Sequence, residues 1–366
     1  MMKTVLLSLA ATLAVAVQSA VAAPRQTVAF LGGSITEMNG FRPRVMKLLR
    51  AQYPDVDFAE IAAGVASTCS DTGAFRMERD VLRKGTPDLL VVDVAVNDDQ
   101  DGNFDRAHCI RGLEGIVRHA LLVNPRCRIV IAQMVNVNQY KQVQAGKDPL
   151  QYAVGRQVAK HYGAEVADIG VALVASAKAG GLAWSDYRDC HPSPKGCDFG
   201  ADVVMKTIGA FGDLRKPAQV RKLPPPIDGL SYFGGREIDL KSVKGGAAWT
   251  VKRPDWKAIP GEKRDYFTRG DALCCAEAGK VAEIAFKGTA LAALLTAGPD
   301  AGDLEVSVDN GPFRFMRLKA DYGKLHYPYT QMLAEELKPG RHVARLRVKA
   351  ADGRGTNVRI NRLYEN

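Results

Sequence analysis

Four separated stretches of this chain carry residue types suited to nucleophilic chemistry. Residues 28–36 read Val-Ala-Phe-Leu-Gly-Gly-Ser-Ile-Thr, a short apolar run that ends in two glycines and a serine. Glycine reaches backbone angles closed to other residues, so the chain can turn sharply at a strand end and leave Ser34 exposed at its tip. A serine hydroxyl attacks poorly at neutral pH unless a base takes its proton, and a neutral imidazole is suited to that task. Asn97-Asp98 closes the apolar run from Asp88 to Val96, Gly64 follows Ile61-Ala-Ala, and Asp189-Cys190-His191-Pro192 lies far downstream. Each has a bland reading when taken alone. Ser34 or Thr36 can be a helix N-cap, Asn97 can cap the segment after its strand, and His191 can be a solvated loop residue.

What would bring the four together is the alternation around them. Apolar runs at 27–31, 56–61, 88–96, 128–135 and about 165–168 are separated by helical stretches, such as the three- and four-residue steps of Ile110, Leu113, Ile116, Val117, Ala120 and Leu121. Strands alternating with helices predict a mostly parallel five-stranded sheet covered on both faces, a three-layer α/β/α fold. In such sheets functional groups collect at the carboxyl ends of the strands, which predicts that the four stretches converge although they lie far apart in sequence.

The order and spacing of these blocks resemble the SGNH, or GDSL-like, hydrolases, over roughly residues 27–212. Gly32-Gly33-Ser34-Ile35-Thr36 matches a form of the first block found in carbohydrate esterases of that superfamily; Gly64, Asn97-Asp98 and His191-Pro192 match later blocks. The resemblance implies a flavodoxin-like fold and a serine esterase in which His191 is the base for Ser34. It also implies an oxyanion hole made by the backbone N–H groups of Ser34 and Gly64 and the side-chain amide of Asn97. The family places its acid three positions before the histidine, where this chain has Arg188. Asp189 is therefore the expected orienting carboxylate, with Asp186 or a backbone carbonyl as alternatives. By the same resemblance the substrate is an acylated, most plausibly acetylated, carbohydrate. A lipid esterase or thioesterase on the same machinery and a silent glycan-binding protein are the alternatives. No cofactor is implied.

Residues 213–226, Asp-Leu-Arg-Lys-Pro-Ala-Gln-Val-Arg-Lys-Leu-Pro-Pro-Pro, combine charge with proline and read as a stiff linker between a catalytic domain (23–212) and a second domain (227–366). Beyond the linker short apolar runs replace helical periodicity, at 281–286, 291–295, 304–308, 313–318, 342–348 and 358–363. Asp309-Asn310-Gly311 is a hairpin signal and Lys338-Pro339-Gly340 another turn. An all-β, jelly-roll-like sandwich is expected, similar to accessory modules of carbohydrate-active enzymes. Trp249, Trp256, Tyr266, Tyr327 and Tyr329 are its candidates for stacking on sugar rings, though core packing is the commoner fate of each, and His326 is a candidate to face the cleft.

The first residues, a basic head followed by an apolar stretch ending at Ala20-Val21-Ala22, have the layout of a cleavable signal over 1–22. A secreted or periplasmic protein is expected, with no stable membrane insertion once the signal is removed. Export makes disulfides possible among the seven cysteines, with Cys190 and Cys197 flanking the loop after His191. No ligand spacing indicates a metal, and Asp98, Asp99 and Asp101 fit no calcium loop. The formal charge of +10 is scattered, which suits acidic polysaccharide or solubility better than nucleic acid, for which no binding module is present. Arg76 and Arg79 are candidates for an acidic substrate, a solvated face being the plainer reading.

Overall fold

The computed structural model describes residues 24–319 and 322–366; the signal expected over 1–22 lies outside them. Strands β1 (Arg25–Gly32), β2 (Asp57–Gly64), β3 (Leu89–Asp93), β4 (Arg128–Ala132) and β5 (Glu165–Ala167) form a sheet in the order β2-β1-β3-β4-β5. Every pairing in it is parallel. The period-two pleat divides the apolar strand residues between two cores. Ala29, Leu31, Ile61, Ala63, Leu90 and Val92 face one core, and Val28, Phe30, Phe58, Leu89 and Val91 face the other.

Among the described residues of this part the α-helices are, in chain order, α1 (Ser34–Glu37), α2 (Phe41–Gln52), α3 (Ser70–Met77), α4 (Ala95–Gln100), α5 (Arg106–Val123), α6 (Val137–Gln144), α7 (Leu150–Tyr162), α8 (Ile169–Lys178), α9 (Trp184–Tyr187) and α10 (Pro194–Gly209). Helices α3, α5 and α7 cover the first face and α2, α8 and α10 the second, which completes the three layers. One expectation is corrected. The run from Asp88 to Val96 is not all strand: β3 stops at Asp93, whose register partner is Gly32 at the end of β1, and the chain then enters α4.

The β part contains β6 (Arg236–Ile238), β7 (Thr250–Lys252), β8 (Glu262–Lys263), β9 (Ala272–Cys275), β10 (Val281–Gly288), β11 (Leu291–Ala297), β12 (Asp303–Val308), β13 (Arg314–Met316), β14 (Leu325–Ala334), β15 (Gly340–Lys349) and β16 (Val358–Glu365). One sheet runs β10-β15-β12-β13; the other runs β7-β9-β16-β11-β14-β8, with β6 on β16. They enclose a core that includes Phe286, Leu295, Leu304, Leu346 and Ile360. Asp309 and Asn310 take φ values of 50° and 63° in the turn between β12 and β13, as a tight hairpin requires.

The two parts share an apolar boundary. Phe75 of α3 stacks on Tyr232 and Tyr364 at 4.9 and 5.4 Å between ring centroids. All seven residues of β11 are buried: Ala293, Leu295 and Ala297 face the sandwich core, whereas Ala292 and Leu294 join the core around α3 and α5. The proline-rich segment after α10 has little regular structure but is fastened down. Arg118 donates to the Pro224 carbonyl at 2.5 Å. Just beyond, the buried Glu114 accepts from the Ile227 and Asp228 N–H groups and the Ser231 hydroxyl at 2.6, 3.0 and 2.6 Å. No helix among the described residues is long and apolar enough to cross a membrane.

Candidate active site

Parallel register aligns the ends of three neighbouring strands. Gly32 of β1 pairs with Gly64 of β2 on one side and with Asp93 of β3 on the other. Beyond Gly32 the chain turns at Gly33, and Ser34 opens α1, half-buried. Its Oγ lies 2.7 Å from Nε2 of His191, 157 positions away in the chain. His191 is held on the short connection between α9 and α10. There Pro192 precedes the N-cap Ser193, whose Oγ accepts from the Gly196 N–H at 3.1 Å while its own hydroxyl donates to the Asp186 carbonyl at 2.5 Å.

The main chain of His191 is gripped from both sides. Asp189 Oδ1 accepts the His191 N–H at 2.6 Å, and the Arg188 guanidinium donates to the His191 carbonyl at 3.1 and 2.5 Å. The expected carboxylate-to-ring hydrogen bond is therefore not what the structure shows. With the acid two positions before the histidine rather than three, the carboxylate closes a local turn onto the i+2 N–H. Asp186 does not orient the ring either, since its Oδ2 accepts the Ala183 N–H at 3.1 Å at the start of α9. Among the described residues Nδ1 of the ring has Cys190 Sγ as its neighbour, at 3.7 Å. A carboxylate oxygen of Asp189, Cys190 Sγ and a ring nitrogen of His191 lie within 4.8 Å of one another, a donor set able to hold a metal ion that ligand spacing had not signalled. All seven cysteines are free thiols, Cys190 and Cys197 included.

Asn97 lies in the first turn of α4 rather than at a strand end, 4% exposed. Its Nδ2 donates to Asp101 Oδ2 at 2.6 Å. The amide packs so closely on the turn before Ser34 that a Cβ on Gly33 would come within 2.0 Å of Asn97 Oδ1. Gly64 is constrained in the same way, because a Cβ there would stand 2.1 Å from the Glu37 nitrogen and 2.5 Å from its Cα. Both glycines thus answer to close approach: one admits the Asn97 amide and the other admits α1, the helix that bears Ser34.

Two residues under this turn carry more than the sequence indicates. Arg76, 1% exposed, donates through NH1 to the Ala63 carbonyl at 2.7 Å and through NH2 to the Gly32 carbonyl at 2.9 Å. It ties the ends of β1 and β2 together and pairs with Asp80 at 3.0 Å. Burial pushes the Asp80 carboxyl up, but its bonds to Arg79 and Arg76 outweigh that and hold it at about 2. The solvated-face reading of Arg76 and Arg79 is thereby corrected, because their partners are carbonyls and carboxylates rather than water. Asp93 is buried at the end of β3, with its carbonyl accepting from the Gly33 N–H at 3.3 Å and its Oδ2 from Thr36 Oγ1 at 3.1 Å. Its Oδ1 is unpaired, and burial pushes its carboxyl up to about 7. Its only sequence signal is a charge inside an apolar run. Burial lifts Asp98 to about 7 as well, although Asp98 Oδ1 accepts the Ser70 N–H at 2.7 Å. Asp99 accepts from Asn136 at 2.9 Å, so the two acidic residues of α4 point to separate partners.

Next to Asp101, which holds the Asn97 amide, a cleft of about 250 Å³ opens between the two parts of the molecule; Ser34, Asn97 and His191 are not among its lining residues. Cys69, Asp71 and Asp101 line it from the α/β side and Lys319, Tyr327 and Tyr329 from the sandwich. Of the aromatic candidates, Tyr327 and Tyr329 thus reach the cleft. Trp249 is core, with Nε1 donating to the Lys280 carbonyl at 3.3 Å, and Trp256 packs on Phe267 and His326. Tyr266 meets Arg79 at the boundary. His326 is fully buried and bonds Asp300 at 3.1 Å, so it does not face the cleft: it alternates along its strand with the core residues Tyr327 and Tyr329 and packs against Trp256 on the opposite face.

Residues 30–199 match the model of the GDSL-like Lipase/Acylhydrolase family, a span running from within β1 into α10. Over that span the α/β unit is similar to the GDSL-like family. No curated protein matches the chain in sequence. Among solved structures, a two-domain esterase active on acetylated mannans, co-crystallised with mannopentaose, is 19% identical with a TM-score of 0.74. The match covers 94% of this chain and 91% of that one, so the two-part architecture is shared throughout. An acetylxylan esterase from Geobacillus stearothermophilus is 18% identical over 51% of this chain and 96% of its own, with a TM-score of 0.39.

Proposed function

We propose that this GDSL-like chain is an exported serine esterase that removes acyl groups, acetyl foremost, from a carbohydrate. The observation that carries the reading is the 2.7 Å approach of Ser34 Oγ to His191 Nε2 at the carboxyl edge of the sheet. In the first step Nε2 accepts the Ser34 proton as Oγ attacks the ester carbonyl carbon. The backbone N–H groups of Ser34 and Gly64 and the Asn97 amide hold the oxyanion that forms; removing one such donor typically costs about 100- to 1000-fold in rate. The imidazolium then protonates the departing sugar alkoxide. Water, giving its proton to the same nitrogen, attacks the acyl-enzyme carbonyl, and the imidazolium returns that proton to Ser34 Oγ as its bond to the acyl carbon breaks and the acid leaves. Asp189 serves this cycle as a positioning residue, through the main chain of His191 rather than through the ring.

The substrate class draws support from the architecture shared with a mannan-active esterase, from a cleft between the two parts next to Asp101, and from the tyrosines lining it. Hydrolysis of p-nitrophenyl acetate by the wild type and by Ser34→Ala tests the chemistry. Abolished turnover in the variant is expected, and equal rates would leave a silent glycan-binding protein. Acetate release from acetylated mannan and xylan, set against octanoyl and longer esters, tests the substrate; preference for the long chains would overturn the carbohydrate assignment.

A further inference from the structure

An oxyanion-hole amide works only if its nitrogen end faces the substrate. Asn97 has two ends, and a rotation of its terminal amide would present Oδ1, an acceptor, to a developing negative charge. Asp101 excludes that rotamer because an ionised carboxylate only accepts, and its Oδ2 takes one Nδ2 proton at 2.6 Å, leaving the second for the oxyanion. The two residues are one helical turn apart, with the Asp101 N–H donating to the Asn97 carbonyl at 2.9 Å. A carboxylate beside a forming oxyanion is nonetheless a like charge, and it needs an opposing one. The sandwich supplies it: the Tyr322 hydroxyl donates to Asp101 Oδ1, and the Lys319 ammonium donates to the Asp101 carbonyl.

We propose that Asp101 is a positioning residue for Asn97, and that the sandwich completes this arrangement through Tyr322 and Lys319, so that turnover depends on both parts of the molecule. The proposal rests on the esterase reading, with Asn97 as an oxyanion donor. It assigns the second part a role in rate that is separate from any hold on the sugar.

The test is a set of double-mutant cycles on the full chain with p-nitrophenyl acetate, whose small acyl group and aryl leaving group ask little of a glycan cleft. Asp101→Ala should lower kcat by about 10- to 100-fold with KM within about twofold, and Tyr322→Phe and Lys319→Met should lower it by about 3- to 10-fold each. In an Asn97→Ala background each of the three should change kcat by less than about twofold, since the group they position is gone. Equal losses in both backgrounds, or losses confined to KM, overturn the proposal. If Asp101→Ala fails to fold, the Tyr322 and Lys319 cycles carry the same decision. Full activity in Asn97→Ala or Ser34→Ala would instead sink the esterase reading itself, an outcome distinct from a missing coupling.

Discussion

Substituting Gly33 with alanine separates the chemistry of this site from its stability. The new methyl would stand 2.0 Å from Asn97 Oδ1 and 2.8 Å from its Cγ, where ordinary contact begins at 3.4 Å. The amide must therefore retreat by more than 1 Å. What moves is the end of a side chain rather than a strand, so the cost in stability is that of modest overpacking, about 1–3 kcal/mol. On the proposed role of Asn97 the cost in rate is larger, because an amide displaced by that distance would no longer meet the oxyanion; about 2.7–4 kcal/mol of transition-state stabilisation would be lost, or roughly 100- to 1000-fold in kcat. Steady-state kinetics with p-nitrophenyl acetate should show this fall with KM changed by less than about twofold, beside a thermal midpoint lowered by only a few degrees. Gly33→Ala combined with Asn97→Ala should be no slower than Asn97→Ala alone. Wild-type kcat in Gly33→Ala, or losses that multiply in the double variant, would refute the idea that the glycine exists to admit the amide.

Two further outcomes follow from the groups beneath the nucleophile turn. Burial lifts Asp93 from an ordinary 3.8 to about 7, so between about pH 4 and pH 7 the folded state keeps a proton that the unfolded chain has lost. Stability should fall as pH rises through that window and level off above it, by at most about 4 kcal/mol for this group. Asp93→Asn keeps an acceptor for Thr36 and removes the charge; since Asp98 titrates in the same range, chemical denaturation should show the slope roughly halved, and an unchanged slope would contradict the assignment. Arg76→Met strips the buried Gly32 and Ala63 carbonyls of a donor and leaves Asp80 to Arg79 alone, which should cost about 3–5 kcal/mol of stability. A loss below about 1 kcal/mol by the same measurement would mean that this guanidinium does not bind the strand ends together.

The parts of the fold legible in sequence are those decided locally. Runs such as Leu-Leu-Val-Val and Arg-Ile-Val-Ile-Ala are strands because burial on both faces needs unbroken apolar residues, and Asp-Asn-Gly turns because its residues tolerate positive φ. Elements that depend on distant partners were hidden. Strand β14 contains Tyr-Pro-Tyr-Thr-Gln, a pattern that hides a strand until β11 pairs with it, and β6 to β8 are two- or three-residue stretches defined only by their neighbours. The same division holds at the site. The blocks around Ser34, Gly64, Asn97 and His191 are legible from their own residues and order, whereas the direction of the Asp189 carboxylate depends on a turn two residues long. Arg76 looks like part of a polar helix face until the carbonyls of two strands come within its reach, and His326 looks available until Asp300 closes over it.

Strand β11 has consequences for how this protein can be taken apart. Because Ala292 and Leu294 lie against α3 and α5 while their neighbours fill the sandwich, residues 227–366 on their own would bare a sticky apolar strip in the middle of a sheet, and the α/β part on its own would bare Phe75. Neither fragment is a free-standing building block of the kind that genes shuffle readily among enzymes. Expression of either alone should give aggregates or a misshapen product, and a cut in the connecting segment should leave a nicked molecule whose halves stay together.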